Sequence, residues 1–321
     1  MKRVRRAALL LVSCLLAPAV HAETYPSKPV QIVVPYAPGG GTDILARHVA
    51  EGMAKVLGKT VLVENRPGAG TNIGASAVAK SAPDGYTLLL GDLALAANPS
   101  LFRTMPYEPT KDLAPVAMVG TAPLVLVTGK SLNANSMKEL VALAKAKSGE
   151  LSVATAGYGN PPHIAAEVFK SVADIDLIVV PYKGVGPALT DVLGGRVSML
   201  FTGISSTKSF IEAGQVKALA VTGAKRESTL PNVPTTAEAG YPQVNVTSWW
   251  GLFGPAGLPK EVVSTLNEAV SKTLAEPEMR ERLAGLSIEA AYGPSEVLSE
   301  RLRSETERWG IVIKKANITL D

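Results

Sequence analysis

Between residues 30 and 57 the chain passes from an apolar strand through three glycines into a helix, and few folds accommodate that junction. Val30-Gln31-Ile32-Val33-Val34 reads as a short buried strand. Ile44, Leu45, Val49, Met53 and Val56 then recur three and four apart, as on one face of a helix. Pro35-Tyr36-Ala37-Pro38-Gly39-Gly40-Gly41-Thr42-Asp43 joins the two. At a helix start the first N–H groups have no partner inside the helix, and the dipole favours negative charge. Glycines let a ligand come close to that backbone. The junction suits an anion, yet it lacks the lysine of a nucleotide-binding P-loop.

Short apolar runs alternate with helical patterns along the rest of the chain. This argues an α/β fold with mainly parallel strands. Strands are expected at 60–64, 87–91, 116–119, 124–128, 151–154, 177–180, 197–201 and 217–222, with a kink at Pro123. Helices are expected at 72–81, 161–172, 187–193, 206–213, 259–275, 277–284 and 295–316. Ser136-Met137-Lys138-Glu139 is a capping box that opens a further helix reaching Lys147. Two α/β sets followed by returning helices predict one domain inserted into another: 23–122 with 251–321, and 123–250 between them.

A second glycine turn, Thr155-Ala156-Gly157-Tyr158-Gly159-Asn160-Pro161-Pro162-His163, again leads a strand into a helix. Ligands of open α/β sheets bind at the carboxyl ends of strands. The two turns are therefore expected to face each other across a cleft, the alternative being that their glycines only make turns. Pro67-Gly68-Ala69-Gly70-Thr71-Asn72-Ile73-Gly74 is not a dinucleotide fingerprint, because its third glycine falls one residue late. It reads instead as a turn that brings Thr71 and Asn72 to the cleft. His163 and Glu167 have ligand spacing, but no third ligand accompanies them, so no metal is expected. Asp43 reads more simply as a helix-dipole residue than as a catalytic carboxylate, since no partner acid or nucleophile–base pair stands beside it. Trp249 and Trp250 read as core or hinge packing, with a cleft-lining role as the sharper alternative.

The first 22 residues have the form of a secretory leader. A basic start (Lys2, Arg3, Arg5, Arg6) precedes an apolar stretch and the cleavage site Val20-His21-Ala22. Leu11-Val12-Ser13-Cys14 also resembles a lipoprotein box, although the apolar stretch continues past Cys14. Those four basic residues account for the net charge of +4; the other 28 balance the 28 acidic residues. No basic run remains for a nucleic acid. Cys14 is the single cysteine, so the exported chain is expected to rely on core burial without disulfides.

Many short segments together resemble the solute receptors of the tripartite tricarboxylate transporters, the Bug receptors. They include Tyr25-Pro26-Ser27-Lys28-Pro29-Val30, the glycine junction itself, Val63-Glu64-Asn65-Arg66-Pro67-Gly68-Ala69-Gly70 and Pro83-Asp84-Gly85-Tyr86-Thr87-Leu88. Asn98-Pro99, Pro181-Tyr182-Lys183-Gly184, residues 187–195 and Leu230-Pro231-Asn232-Val233-Pro234-Thr235 extend the likeness through the chain. The resemblance implies a type II periplasmic binding-protein fold, with two α/β domains closing over a small carboxylate. It implies binding by backbone N–H groups and water, with no cofactor, metal or enzymatic activity. By position, Pro38, Gly39, Gly40, Gly41, Thr42 and Asp43 would form one contact loop. Gly157, Tyr158, Gly159, Asn160 and His163 would form the other, with Thr71, Asn72, Asp92 and Ala94 at further strand ends. The implied setting is a periplasmic monomer that serves membrane transporter subunits. A sensor kinase as the partner, or a secreted enzyme on the same scaffold, are the alternatives. Two positions depart from the family pattern: Ser198 stands where Asp is common, and Asn160 where small hydroxyl residues are frequent.

Overall fold

The computed structural model describes residues 24–315 and Leu320. The expected leader, with Cys14 and its cleavage site, lies outside the described residues. The first elements are β1 (Val30–Val34), α1 (Gly41–Leu57), β2 (Val61–Asn65), α2 (Asn72–Ala79), β3 (Thr87–Asp92), α3 (Ala94–Leu101), α4 (Pro109–Asp112) and β4 (Leu113–Gly129). Then come α5 (Met137–Ala146), β5 (Ser152–Thr155), α6 (Pro161–Ala173), β6 (Ile178–Pro181), α7 (Val185–Leu193), β7 (Met199–Gly203), α8 (Ile204–Glu212) and β8 (Val216–Val221). The chain returns through β9 (Thr247–Pro255), α9 (Lys260–Ala275), α10 (Pro277–Gly285), β10 (Glu289–Gly293) and α11 (Ser295–Lys315).

The strands run in the order β2-β1-β3-β9-β4-β7-β5-β6, with β8 and β10 also paired to β4. At each end of this order the strands are parallel: β2, β1 and β3 on one side, β6, β5 and β7 on the other. Around the middle they are antiparallel, because β4 and β9 carry the chain between the two halves in opposite directions. The expectation of a mainly parallel sheet therefore holds only for the flanks.

The two apolar runs expected on either side of Pro123 are one continuous strand. β4 pairs with β9 as far as Pro123↔Thr247, then with β7 from Leu124↔Gly203. Proline lacks the N–H needed in a ladder, and Pro123 falls where β4 changes partner. The aromatic run at Trp249 and Trp250 is strand β9, and β10 is a short edge strand between helices; neither was expected as a strand. α3 is also unanticipated, being mostly alanine and carrying Pro99 within it. α7 and α8 each begin two residues earlier than their periodicity predicts.

Packing follows the sequence pattern closely in the first half. Leu45, Val49 and Met53 of α1 are fully buried in one core with Ile32 and Val34 of β1 and with Val262, Leu266 and Val270 of α9. Gly58 ends α1 in the left-handed conformation, φ 64°, as a helix-terminating glycine does. In α5 the capping box forms with a change of partner. Ser136 accepts the Glu139 N–H at 3.2 Å, while the Glu139 carboxylate accepts from Asn135 N–H at 2.8 Å.

Candidate functional site

Four helices, three of which (α1, α7 and α8) start without a side-chain cap, begin at one small cavity between the two halves of the molecule. Its lining includes Gly40, Gly41 and Thr42 at the start of α1, Val185 at the start of α7 and Gly203 just before α8. Tyr36, Asp92, Asn160, Ser248 and Trp250 add polar groups, while Leu124, Ala156, Pro161 and Pro162 add apolar wall. The cavity measures about 50 Å³. A water needs roughly 10–15 Å³ on this measure, so the space suits a few waters or a small acid. No lysine or arginine lines it.

The wall from α1 is built so that its backbone stays available. Gly39 takes φ 91°, a left-handed value that favours glycine, and its N–H donates to Asp43 Oδ2 at 3.0 Å. Asp43 also accepts from Arg47 Nη2 at 2.9 Å and from Asn65 Nδ2 at 3.0 Å. Burial pushes its carboxyl up, but the hydrogen bonds from Arg47, the Gly39 N–H and Asn65 outweigh this and hold it below the usual carboxylate range. Its carboxylate is thus engaged in bracing the turn and does not reach the cavity. Thr42 Oγ1 accepts from Trp250 Nε1 at 2.8 Å, which ties the helix start to β9. Trp249 is fully buried in the core, whereas Trp250 lines the cavity. No side chain caps α1, so the first-turn N–H groups face the cavity without an internal acceptor.

The second wall differs from the one expected. α6 opens with Pro161 and Pro162, neither of which has an N–H. Its next donor, the His163 N–H, is held by the Asn160 side chain at 3.0 Å. Asn160 Nδ2 in turn donates to Gly157 O at 2.9 Å. His163 does not line the cavity: its Nδ1 accepts from Gly159 N–H at 3.2 Å. Burial, with Lys170 nearby, depresses the imidazole to about 4, so it is neutral. Glu167 lies 3.9 Å from Nε2 but is itself paired with Lys170. Gly157 and Tyr158 face a separate groove, shared with Thr71, Tyr182 and Lys183. Of this predicted loop only Asn160 reaches the cavity. The donors opposite α1 belong instead to α7 and α8, which no side chain caps. The missed signals were Gly184 and Gly203, each a glycine directly ahead of a helix.

The remaining predicted residues divide. Asp92 lines the cavity and accepts from Tyr36 Oη at 2.7 Å and from Ala94 N–H at 2.9 Å. Burial lifts its carboxyl to about 6, against the pull of those two donors. Ala94 supplies that N–H and is otherwise buried. Pro38 and Gly39 are exposed at the rim. Asn72 is buried away from the cavity, where its Oδ1 accepts from Asn98 Nδ2 at 2.9 Å. Ser198 exchanges hydrogen bonds with Ser152 at the opposite ends of their strands, so this departure does not touch the cavity.

The two halves meet closely around the site. Ala37 N–H donates to Lys183 O at 3.0 Å, a backbone bond from one half to the other. A Cβ on Gly159 would stand 1.9 Å from Asn98 Oδ1, and Gly159 has φ 74°. Only glycine fits that contact.

A cleft between two α/β lobes, crossed by β4 and β9 and lined by helix starts, defines a binding protein of the periplasmic type. The chain belongs to the tripartite tricarboxylate transporter receptor family, whose model matches residues 45–318. Among solved structures it is similar to the periplasmic binding protein BugD, with TM-score 0.89 and 37% identity over 92% of this chain and all of that one. It is similar to Rpa4515 of R. palustris, solved with adipate, with TM-score 0.89 and 36% identity over 92% of this chain and all of the other. MatC (Rpa3494) from Rhodopseudomonas palustris, with bound malate, matches with TM-score 0.86 and 35% identity over 90% of this chain and all of that one. The fold is the type II periplasmic binding-protein fold expected from the sequence, two α/β domains with the ligand cleft between them. Among the described residues no helix is long and apolar enough to cross a membrane.

Proposed function

We propose that this chain is an exported solute receptor that captures a small carboxylate between its domains and delivers it to a tripartite tricarboxylate-type membrane transporter. One observation carries the reading: three uncapped helix starts converge on a small cavity that has no lysine or arginine. Each helix start favours an anion by about 0.3–1 kcal/mol, and up to about 2 when partly buried. Each hydrogen bond to a charged group adds about 1.5–3 kcal/mol. The acids held by Rpa4515 and MatC support a carboxylate as the ligand. The domain division is 23–122 with 251–321, and 123–250, a reading supported by the change of partner in β4 at Pro123. Export through residues 1–22 and action as a periplasmic monomer complete the proposal. Ligand touches both domains only when they are closed, so binding favours closure.

The test is mass spectrometry of the acid that copurifies with the protein, followed by calorimetry across mono-, di- and tricarboxylates. A copurified acid that rebinds with 1:1 stoichiometry is the expected result. No binding across the panel would overturn the proposal. Deletion of the receptor is then expected to abolish uptake of that acid by cells that retain the membrane subunits.

A further inference from the structure

Asp92 is a buried acid in a cavity otherwise suited to anions. It closes β3, is 4% exposed, and stands on the same lining as the starts of α1, α7 and α8. Its two oxygens accept one donor each, from Tyr36 Oη and Ala94 N–H. A carboxylate has about four lone-pair sites, so each oxygen keeps further acceptor capacity. Tyr36 gives its single proton to Asp92, so the phenol presents an acceptor to the cavity. No cation on the lining neutralises this pair. The cavity therefore has two unlike ends. Backbone donors gather at the helix starts, and acceptors gather at Asp92 and Tyr36.

Resting on the receptor reading above, we infer that Asp92 makes this protein select a short monocarboxylate whose far end carries a hydrogen-bond donor over a dicarboxylate of the same length. Hydroxyl, amide and ammonium groups are such donors. A ligand that sets one carboxylate on the helix starts brings its other end towards Asp92, because the cavity is only about 50 Å³. A donor there satisfies the acid; a second carboxylate meets a like charge inside a desolvated site. The titratable groups that face Asp92 are Tyr36 and Tyr107, and burial raises both phenols, so neither competes for charge near neutrality. Asp92 itself, lifted by burial to about 6, is mostly ionised at pH 7.5.

Calorimetry at pH 7.5 with succinate, 4-hydroxybutyrate, 4-aminobutyrate and succinamate tests this, with the three-carbon set of malonate and 3-hydroxypropionate beside it. At least one donor-bearing acid is expected to bind roughly tenfold or more tighter than the dicarboxylate of its length. In Asp92→Asn the preference is expected to collapse, because an amide no longer repels the second carboxylate. Dicarboxylates that bind as tightly as the donor-bearing acids would overturn the inference while leaving the receptor reading intact. An unchanged ratio in a folded Asp92→Asn protein would do the same. Failure of every carboxylate, including any that copurifies, would overturn both. If the variant does not fold, the panel on the unaltered protein decides alone.

Discussion

Gly39-Gly40-Gly41 and Gly157-Tyr158-Gly159 each lead a strand into a helix, but they leave different groups free. After the first, α1 starts with no side-chain cap and its donors reach the cavity. After the second, two prolines and the Asn160 cap occupy the places where donors would be. Both turns carry a left-handed glycine, Gly39 at φ 91° and Gly159 at φ 74°; the three or four residues that follow decide which donors stay free. A glycine turn before a helix is an anion site only when its first-turn N–H groups exist and lack an internal acceptor. The second turn instead fits against the other half, with Gly159 on Asn98. One turn leaves its helix donors open to the cavity, and the other lets the two walls approach.

The sharpest way to break this division is Gly159→Ala. The methyl would meet Asn98 Oδ1 and force a left-handed alanine. Overpacking between the halves of about 1–3 kcal/mol predicts ligand affinity lower by roughly 5- to 150-fold, measured by calorimetry, and the left-handed strain lowers the melting temperature besides. Acid separates the two turns next. His163 has a folded value near 4 against about 6.5 unfolded, so its contribution is complete above pH 6.5 and is lost as the pH falls towards 4. Up to about 3 kcal/mol is at stake. Asp43 is depressed, so its contribution persists through that window and is lost only as the pH falls below the ordinary carboxylate range. Thermal melts of the protein and of His163→Gln between pH 7.5 and 4 should converge as the pH drops; parallel curves would refute the assignment.

Gly41→Pro then tests the first turn alone. Proline is well tolerated at the first position of a helix, and Gly40 already has the extended backbone that a residue before proline requires. One donor is lost, about 1.5–3 kcal/mol, so affinity should fall roughly 10- to 100-fold with little change in melting temperature. The smallest effect is expected from Pro161→Ala. It restores one N–H to α6, and a gain of about 1 kcal/mol or less should tighten binding a few-fold at most. A large gain would mean that the second turn is an anion site held in check by its prolines.

Elements with strong local signals were legible in the sequence. The apolar run of β1 and the 3.6-residue pattern of α1 place the first strand, glycine turn and helix correctly, because propensity and burial agree there. The second wall was less legible. Periodicity marks where a helix is already turning, so it missed Val185 and Ile204, whose N-termini are set by the preceding Gly184 and Gly203. β9 and β4 were misread for a different reason. Trp249, Trp250 and Pro123 look like packing residues and a break, and only long-range pairing makes them parts of two antiparallel crossing strands. The resemblance places His163 among the ligand contacts, whereas the cavity lining does not include it. Whether its ring nitrogen meets ligand or the Gly159 N–H depends on tertiary placement that spacing does not encode.

The burial of α1 against α9 ties the first glycine turn to a part of the chain made some 200 residues later. Leu45, Val49 and Met53 have Val262, Leu266 and Val270 among their core partners, and β3 gains its second neighbour only when β9 arrives. As the chain emerges from synthesis, residues 38–43 are complete early with β1 beside them, but the α9 share of their core is still missing. A molecule cut after residue 258 would keep every cavity-lining side chain and still lack the buttress that aims the first turn.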